Sequence, residues 1–306
     1  MAKKRRRTIM TKKILAIALA LTTACSFTAF AAEAPAEAVE ENAELPAIDA
    51  STIPGIDDGV LTVAMECAYA PYNWAQPDDS NDAVPIKDSM LYANGYDVMT
   101  AKNICEYLGV ELEVVQLDWD SLIPAVQAGV VDAVIAGQSM TAERMESVNF
   151  AGPYLYASIV CVTKADSAYA NAKGLADLAG GSCTSQSGTI WYDSCLPQIK
   201  DADIQSPAES APAMTMAVAS GTVDFICTDM PTAQAALIAY PDLVILDFSG
   251  SEDDFEVSDE DINIGVSVSK ENTALCEAID AYLATLTADD FNALMASAIE
   301  IQPLTE

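Results

Sequence analysis

Arg144 is the natural starting point, because it is the only arginine after residue 31, where it stands with six lysines against forty-six acids and no histidine. A guanidinium offers a planar fork of donors that fits a carboxylate bidentately, which an ammonium cannot do. An anion that must be held in a fixed geometry therefore has essentially one partner in this chain. Thr141 reads as the N-cap of a short helix with Arg144 in its first turn, beside backbone N–H groups that have no partner inside the helix. The competing reading is a salt bridge to one of the many acids. The preceding segment favours the anion site. Val131, Val134 and Ile135 have the pattern of a buried strand, and the small polar run Ala136-Gly137-Gln138-Ser139 follows, just past the strand's carboxyl end. Ligands of open α/β sheets bind there.

The elements that must position such a site alternate between strand and helix. Gly59–Met65 reads as a strand, Asp97–Leu108 as a helix ending at Gly109, Glu111–Leu117 as a strand, Ser121–Ala128 as a helix and Val131–Ala136 as a strand. A second set follows. It has strands at Ser158–Thr163, Ser182–Ser185, Val223–Thr228 and Leu243–Leu246, with helices at Thr189–Cys195, Ala211–Ala219 and Thr232–Tyr240. A strand at Ile262–Val268 and helices near Asn272–Leu286 and Ala288–Ala298 close the chain. The acid-rich segments Gln76–Asn94 and Ser249–Asp261 lack the ligand spacing of a calcium loop and are expected to be solvated loops.

Residues 1–31 carry seven basic residues ahead of the apolar run Ile14–Ala24, too short to span a bilayer, and end in Ala29-Phe30-Ala31. They are expected to be a signal peptide, with Thr22-Thr23-Ala24-Cys25 an alternative lipid-attachment site at Cys25. Residues 32–55, rich in Ala, Glu and Pro, are expected to be a disordered acidic linker. With seven basic against forty-six acidic residues after Ala31, the net charge is −39, which excludes nucleic-acid binding. Seven cysteines remain without CxxC or tight spacing, most inside apolar patterns; a Cys183–Cys195 pair stays open, and zinc is not expected without histidine.

Several motifs accumulate in register: Glu66-Cys67-Ala68-Tyr69-Ala70-Pro71-Tyr72, Gly95-Tyr96-Asp97-Val98, Asp118-Trp119-Asp120-Ser121, Ala136–Arg144, Asn149–Tyr154, Gln186-Ser187-Gly188-Thr189 and Gly221–Asp229. In order and spacing they resemble the polar amino acid family of substrate-binding proteins of ABC transporters, extracellular solute-binding family 3, from about residue 56 onward. The resemblance implies an α/β clamshell of the type II periplasmic binding protein kind, two Rossmann-like lobes joined by two hinge strands. Lobe 1 would comprise residues 56–156 and, with the C-terminal helices, 263–306; lobe 2 would be 157–262. It also implies a free amino acid ligand, a permease as membrane partner, a monomer, and no cofactor or metal.

Carried over by position, Arg144 would hold the ligand's α-carboxylate with Ser139 and the backbone around Thr141, while Gly188 and Thr189 would add N–H donors from a capped helix in lobe 2. Asp229 would take the α-ammonium with the carbonyl near Gly137; by itself Asp229 also reads as a helix N-cap ahead of Pro231. Tyr69 and Tyr96 would surround the ligand's side chain, and Glu66 would meet a polar or cationic one. Departures at Gln138 and Ile190 leave side-chain specificity open. Two rivals stand beside this: a dehydratase of small carboxylates on the same fold, with Glu66 as general acid, and a ligand-sensing module.

Overall fold

The computed structural model describes residues 48–303, so the signal segment, Cys25 and the first part of the expected linker lie outside the described residues. Residues 48–55 of that linker are part of the fold. Asp49 caps a 3-10 turn at Ala50–Thr52, Ile53 and Ile56 are buried in the core, and the Asn272 amide donates to the Pro54 carbonyl at 2.6 Å. Two isoleucines three residues apart anchor a stretch whose average composition hides them.

The chain then builds β1 (Val60–Met65), a hairpin-like excursion of β2 (Ala68–Tyr69), β3 (Asn73–Gln76), β4 (Val84–Pro85) and β5 (Tyr92–Asn94), and helix α1 (Tyr96–Leu108). Leu61, Val63, Ala64 and Met65 are all buried, the near-continuous apolar run expected of a parallel strand covered on both faces. β6 (Glu111–Gln116), α2 (Leu122–Gln127), β7 (Ala133–Val134), α3 (Ala142–Ser147) and β8 (Val148–Tyr156) follow. The first sheet has the order β6-β1-β7-β14-β8, where β14 (Asn263–Ser269) returns from far along the chain, after the second sheet is complete.

The second sheet is drawn from β9 (Ile159–Lys164), β10 (Ser182–Thr184), β11 (Asp203–Ile204), β12 (Phe225–Asp229) and β13 (Leu243–Leu246), in the order β11-β10-β12-β9-β13, with helices α4 (Ala211–Ala219) and α5 (Met230–Ala239). The short α6 (Asp259–Ile262) precedes β14, and α7 (Thr273–Leu283) and α8 (Ala288–Ile301) finish the chain. The architecture is the expected α/β pair of lobes. The backbone crosses between the sheets twice, from β8 to β9 and from β13 to β14.

One expectation changes. The segment Gln76–Asn94 is not a plain loop: its ends pair in the four-stranded sheet β2-β3-β5-β4, whose two- to four-residue strands are too short to show an alternating pattern. β8, to which the sequence pattern assigns no element, pairs with β14 along its length across a register shift between Ile264 and Val266. The second acidic segment stays irregular from Gly250 to Ser258. All seven cysteines of the described residues are free, so Cys183 and Cys195 do not pair.

Candidate functional site

In the first sheet β6, β1 and β7 are parallel, and in the second β11, β10 and β12 are. Their carboxyl ends deliver Asp118 and Trp119, Glu66, and Gly137 from one sheet, and Gln186 and Asp229 from the other. The first-formed of the three parallel strands, β1 in one sheet and β10 in the other, sits between the other two, so each sheet has a switch point at that edge, and the two edges touch.

At one end of the junction, Thr141 caps α3 as expected, its hydroxyl accepting from the Arg144 N–H at 3.3 Å. The half-buried guanidinium donates to the Ser139 carbonyl at 2.8 Å and, across the junction, to the Gly188 carbonyl at 2.9 Å. It lies 5.5 Å from the centre of the Trp119 ring, a cation–π distance. The ion pairs among the described residues are Lys87–Glu113 and Lys164–Asp242, so no acid closes a salt bridge with Arg144. Burial lowers its pKa to about 10, which leaves it a cation at neutral pH. Thr141, Arg144, Gly188, Thr189 and Asp193 line an open cavity of about 470 Å³. Gly188 has φ +63°, and a side chain there would stand 3.4 Å from the Trp119 indole nitrogen. Ser139 serves Arg144 through its carbonyl. Thr189 does not cap a helix with its side chain: the hydroxyl donates back to the Gln186 carbonyl at 2.7 Å, and the helix that follows is a π turn over Trp191–Cys195.

At the other end, Asp229 is fully buried and is the N-cap of α5, with one carboxylate oxygen accepting from the Thr232 N–H at 2.9 Å. The other oxygen accepts from the Tyr69 phenol at 2.8 Å and the Thr232 hydroxyl at 3.0 Å. Three of about four acceptor positions are thereby used, and one of those donors comes from the opposite lobe. Burial raises the Asp229 pKa. Tyr69 stacks on Tyr72 at 4.7 Å, and Gly137, at φ +64°, fits beneath them: a Cβ there would lie 3.0 Å from the Tyr69 ring and 3.1 Å from that of Tyr72.

Between these ends lies Glu66, buried, with a carboxylate oxygen 3.5 Å from the Gln186 amide of the other lobe. Burial first, then Asp118 and Asp120, push its pKa up to about 7 against the lowering by Gln186. It opens on a cavity of about 580 Å³ also lined by Asp118, Trp119, Asp120 and Glu209. Tyr96 sits elsewhere. Fully buried, it packs edge-on to Tyr72 and stacks on Tyr154, whose carbonyl accepts its hydroxyl, so its contacts are with the first lobe's core. Gln138 also turns inward, accepting from the Ser267 hydroxyl at 3.0 Å.

Three residues at the junction carry no assigned role in the sequence reading, although the first two lie inside its motifs: Trp119 beside Arg144, Gln186 against Glu66, and Thr232 on Asp229. Each lies within a few residues of the carboxyl end of a parallel strand, which is the signal that marks them.

The profile of the bacterial extracellular solute-binding proteins, family 3, matches residues 61–297. A probable histidine-binding protein of Campylobacter jejuni is 30% identical over 184 residues, 60% of this chain and 65% of that protein, so the match spans just under two thirds of the relative. The amino acid ABC transporter substrate-binding protein AbpA of Streptococcus pneumoniae, bound to L-arginine, aligns over 80% of this chain and 97% of its own at 25% identity, with a TM-score of 0.66. The ancestral amino acid-binding protein AncCDT-1, a precursor of cyclohexadienyl dehydratase, aligns over 80% and 97% at 26% identity and a TM-score of 0.64.

Proposed function

The chain belongs to the bacterial extracellular solute-binding proteins of family 3, and on that premise we propose that it captures a polar or cationic L-amino acid between its lobes outside the cytoplasm and delivers it to the membrane permease of an ABC transporter. Arg144 carries this reading. A cation without a carboxylate partner among the described residues, held at the lobe junction, is a receptor for the ligand's α-carboxylate. Asp229 and the Gly137 segment take the α-ammonium, with Tyr69 giving up its place on the carboxylate. Glu66 and the acidic cavity around it receive the side chain, and their charge favours arginine, lysine or histidine.

Dividing the ligand's partners between lobes makes closure and binding one event, because the closed form is favoured by contacts the open form lacks. Charge-assisted hydrogen bonds of about 1.5–3 kcal/mol each, several per zwitterion, suffice for the roughly −8 kcal/mol of micromolar affinity. No bond is made or broken, and the protein works as a monomer. Lipid attachment at Cys25 would tether it, while cleavage after Ala31 would release it.

A melting-temperature panel of the twenty amino acids tests the proposal. Arginine, lysine or histidine should raise the transition most, and a panel without any shift would refute amino acid capture. One observation favours the dehydratase as a second reading: a carboxyl with a pKa of about 7 in a cavity is poised as a general acid. Turnover of a small carboxylate that stops in Glu66→Gln would establish it.

A further inference from the structure

Behind the ligand-facing residues lies a buried polar chain confined to the first lobe, with Asp97 at its centre. Asp97 is fully buried, in the first turn of α1, and no cation lies within ion-pair distance of it among the described residues. One carboxylate oxygen accepts from the Asn73 amide at 2.7 Å, and the other from the Tyr154 phenol at 2.7 Å. Each partner holds a piece of backbone. The Asn73 side-chain oxygen accepts from the Cys67 N–H at 2.7 Å, and the Tyr154 hydroxyl accepts from the Gly137 N–H at 3.0 Å. Both segments need holding: Cys67 has φ +54°, which a side-chain-bearing residue rarely adopts, and Gly137 has φ +64°.

We infer that Asp97 is a positioning residue that fixes two ligand-facing segments at once, Glu66-Cys67 through Asn73 and Gly137 through Tyr154. The inference rests on the amino acid reading above for what those segments face, but not for the clamp itself. A buried ionised carboxylate without a counter-charge is costly, and burial pushes Asp97 up to about 6 despite these hydrogen bonds. An apolar residue would fill the space more cheaply. What it could not do is accept from two donors whose own acceptor atoms are committed to the backbone. The arrangement also places the crossing between lobes near the site, since Tyr154 lies on β8, the strand from which the chain leaves for the other lobe.

Donor and acceptor logic supplies the test. In Asp97→Asn the new amide group faces the Asn73 amide, two donors with no acceptor between them. In the exchanged pair, Asn73→Asp with Asp97→Asn, every bond is restored and only the one between residues 73 and 97 reverses its polarity: the new carboxylate still accepts from Cys67 N–H and now accepts from the new amide, whose oxygen accepts from Tyr154. Amide hydrogen exchange without ligand, followed by NMR, should be faster at Cys67 and Gly137 in Asp97→Asn and return toward wild type in the exchanged pair. L-Arginine affinity by calorimetry should fall at least about tenfold in the single variant and recover to within about threefold in the pair. Unchanged exchange at both amides in folded Asp97→Asn, or wild-type affinity despite faster exchange, would overturn the inference. If exchange responds as expected but none of the twenty amino acids shifts the melting temperature of the wild-type protein, the ligand reading fails and the clamp stands. Should Asp97→Asn not fold, Tyr154→Phe cuts the Gly137 arm alone. Faster exchange at Gly137 with Cys67 unchanged then supports the division of the two arms, and no change at Gly137 refutes it.

Discussion

The two lobes have the same sheet. In each, three parallel strands carry the first-formed one in the middle, an antiparallel strand borders the last of them, and a fifth strand closes the edge. Their site-facing edges are chemically unlike. The first lobe contributes the cation Arg144, the rings of Tyr69 and Trp119 and the carboxyl of Glu66; the second contributes the Gly188 carbonyl, the Gln186 amide and the capping carboxylate of Asp229. Common topology puts junction-facing groups at matching places, while residue identity decides what charge and which donors or acceptors each edge presents. The lobes also differ in support. Gly137 and Cys67 in the first are braced by a buried side-chain chain, whereas Asp229 in the second is braced by its own helix.

The comparison breaks most completely at Arg144. Arg144→Ala should weaken L-arginine binding by on the order of 1,000-fold with the melting curve little changed, because the α-carboxylate then enters the junction without a counter-charge. Near-wild-type affinity by calorimetry would remove Arg144 from the carboxylate site. Asp229→Asn should cost less, about tenfold to a hundredfold, since the amide oxygen can still cap α5 while the charge facing the ammonium is gone. The loss should be larger for an α-amino acid than for its α-hydroxy analogue, and equal losses would take Asp229 out of the ammonium site.

Glu66 should give the smallest effect and the most distinctive one. Its pKa rises on folding from 4.5 to about 7, so between those values the folded chain keeps a proton that the unfolded chain has released. Stability accordingly declines as pH rises from 4.5 to about 7 and is level above. A cationic side chain in the cavity favours the ionised form, so L-arginine affinity should climb by up to about tenfold per pH unit toward pH 7 and then level off. Glu66→Gln should flatten the climb between about pH 6 and 7, and a profile identical to wild type would show that Glu66 does not meet the ligand's charge.

Much of the fold and part of the site are legible in the order of residues. The alternation of strand and helix marks the α/β class, Ala211–Ala219 and Leu243–Leu246 begin and end where their patterns place them, and Thr141 caps the helix that carries Arg144. Short strands are not legible. β2 to β5 run two to four residues, too few to contain enough of a two-residue period to stand out from loop. Tyr69 and Tyr96 look equivalent as aromatic residues after a small one, yet Tyr69 reaches Asp229 across the junction and Tyr96 is locked into the tyrosine stack behind it.

The chain's local pattern by itself determined which residues can bear charge, where helices start, and that a lone arginine follows a strand, because propensity, capping and hydrophobic period act over a few neighbouring residues. Only the folded molecule decided that Arg144 reaches Gly188, forty-four positions away, that Tyr69 and Asp229 meet across 160, and that Asp97 holds two backbone segments at once. Those contacts depend on where the carboxyl ends of strands from two sheets come to lie, and no local rule of sequence specifies distances between groups so far apart along the chain.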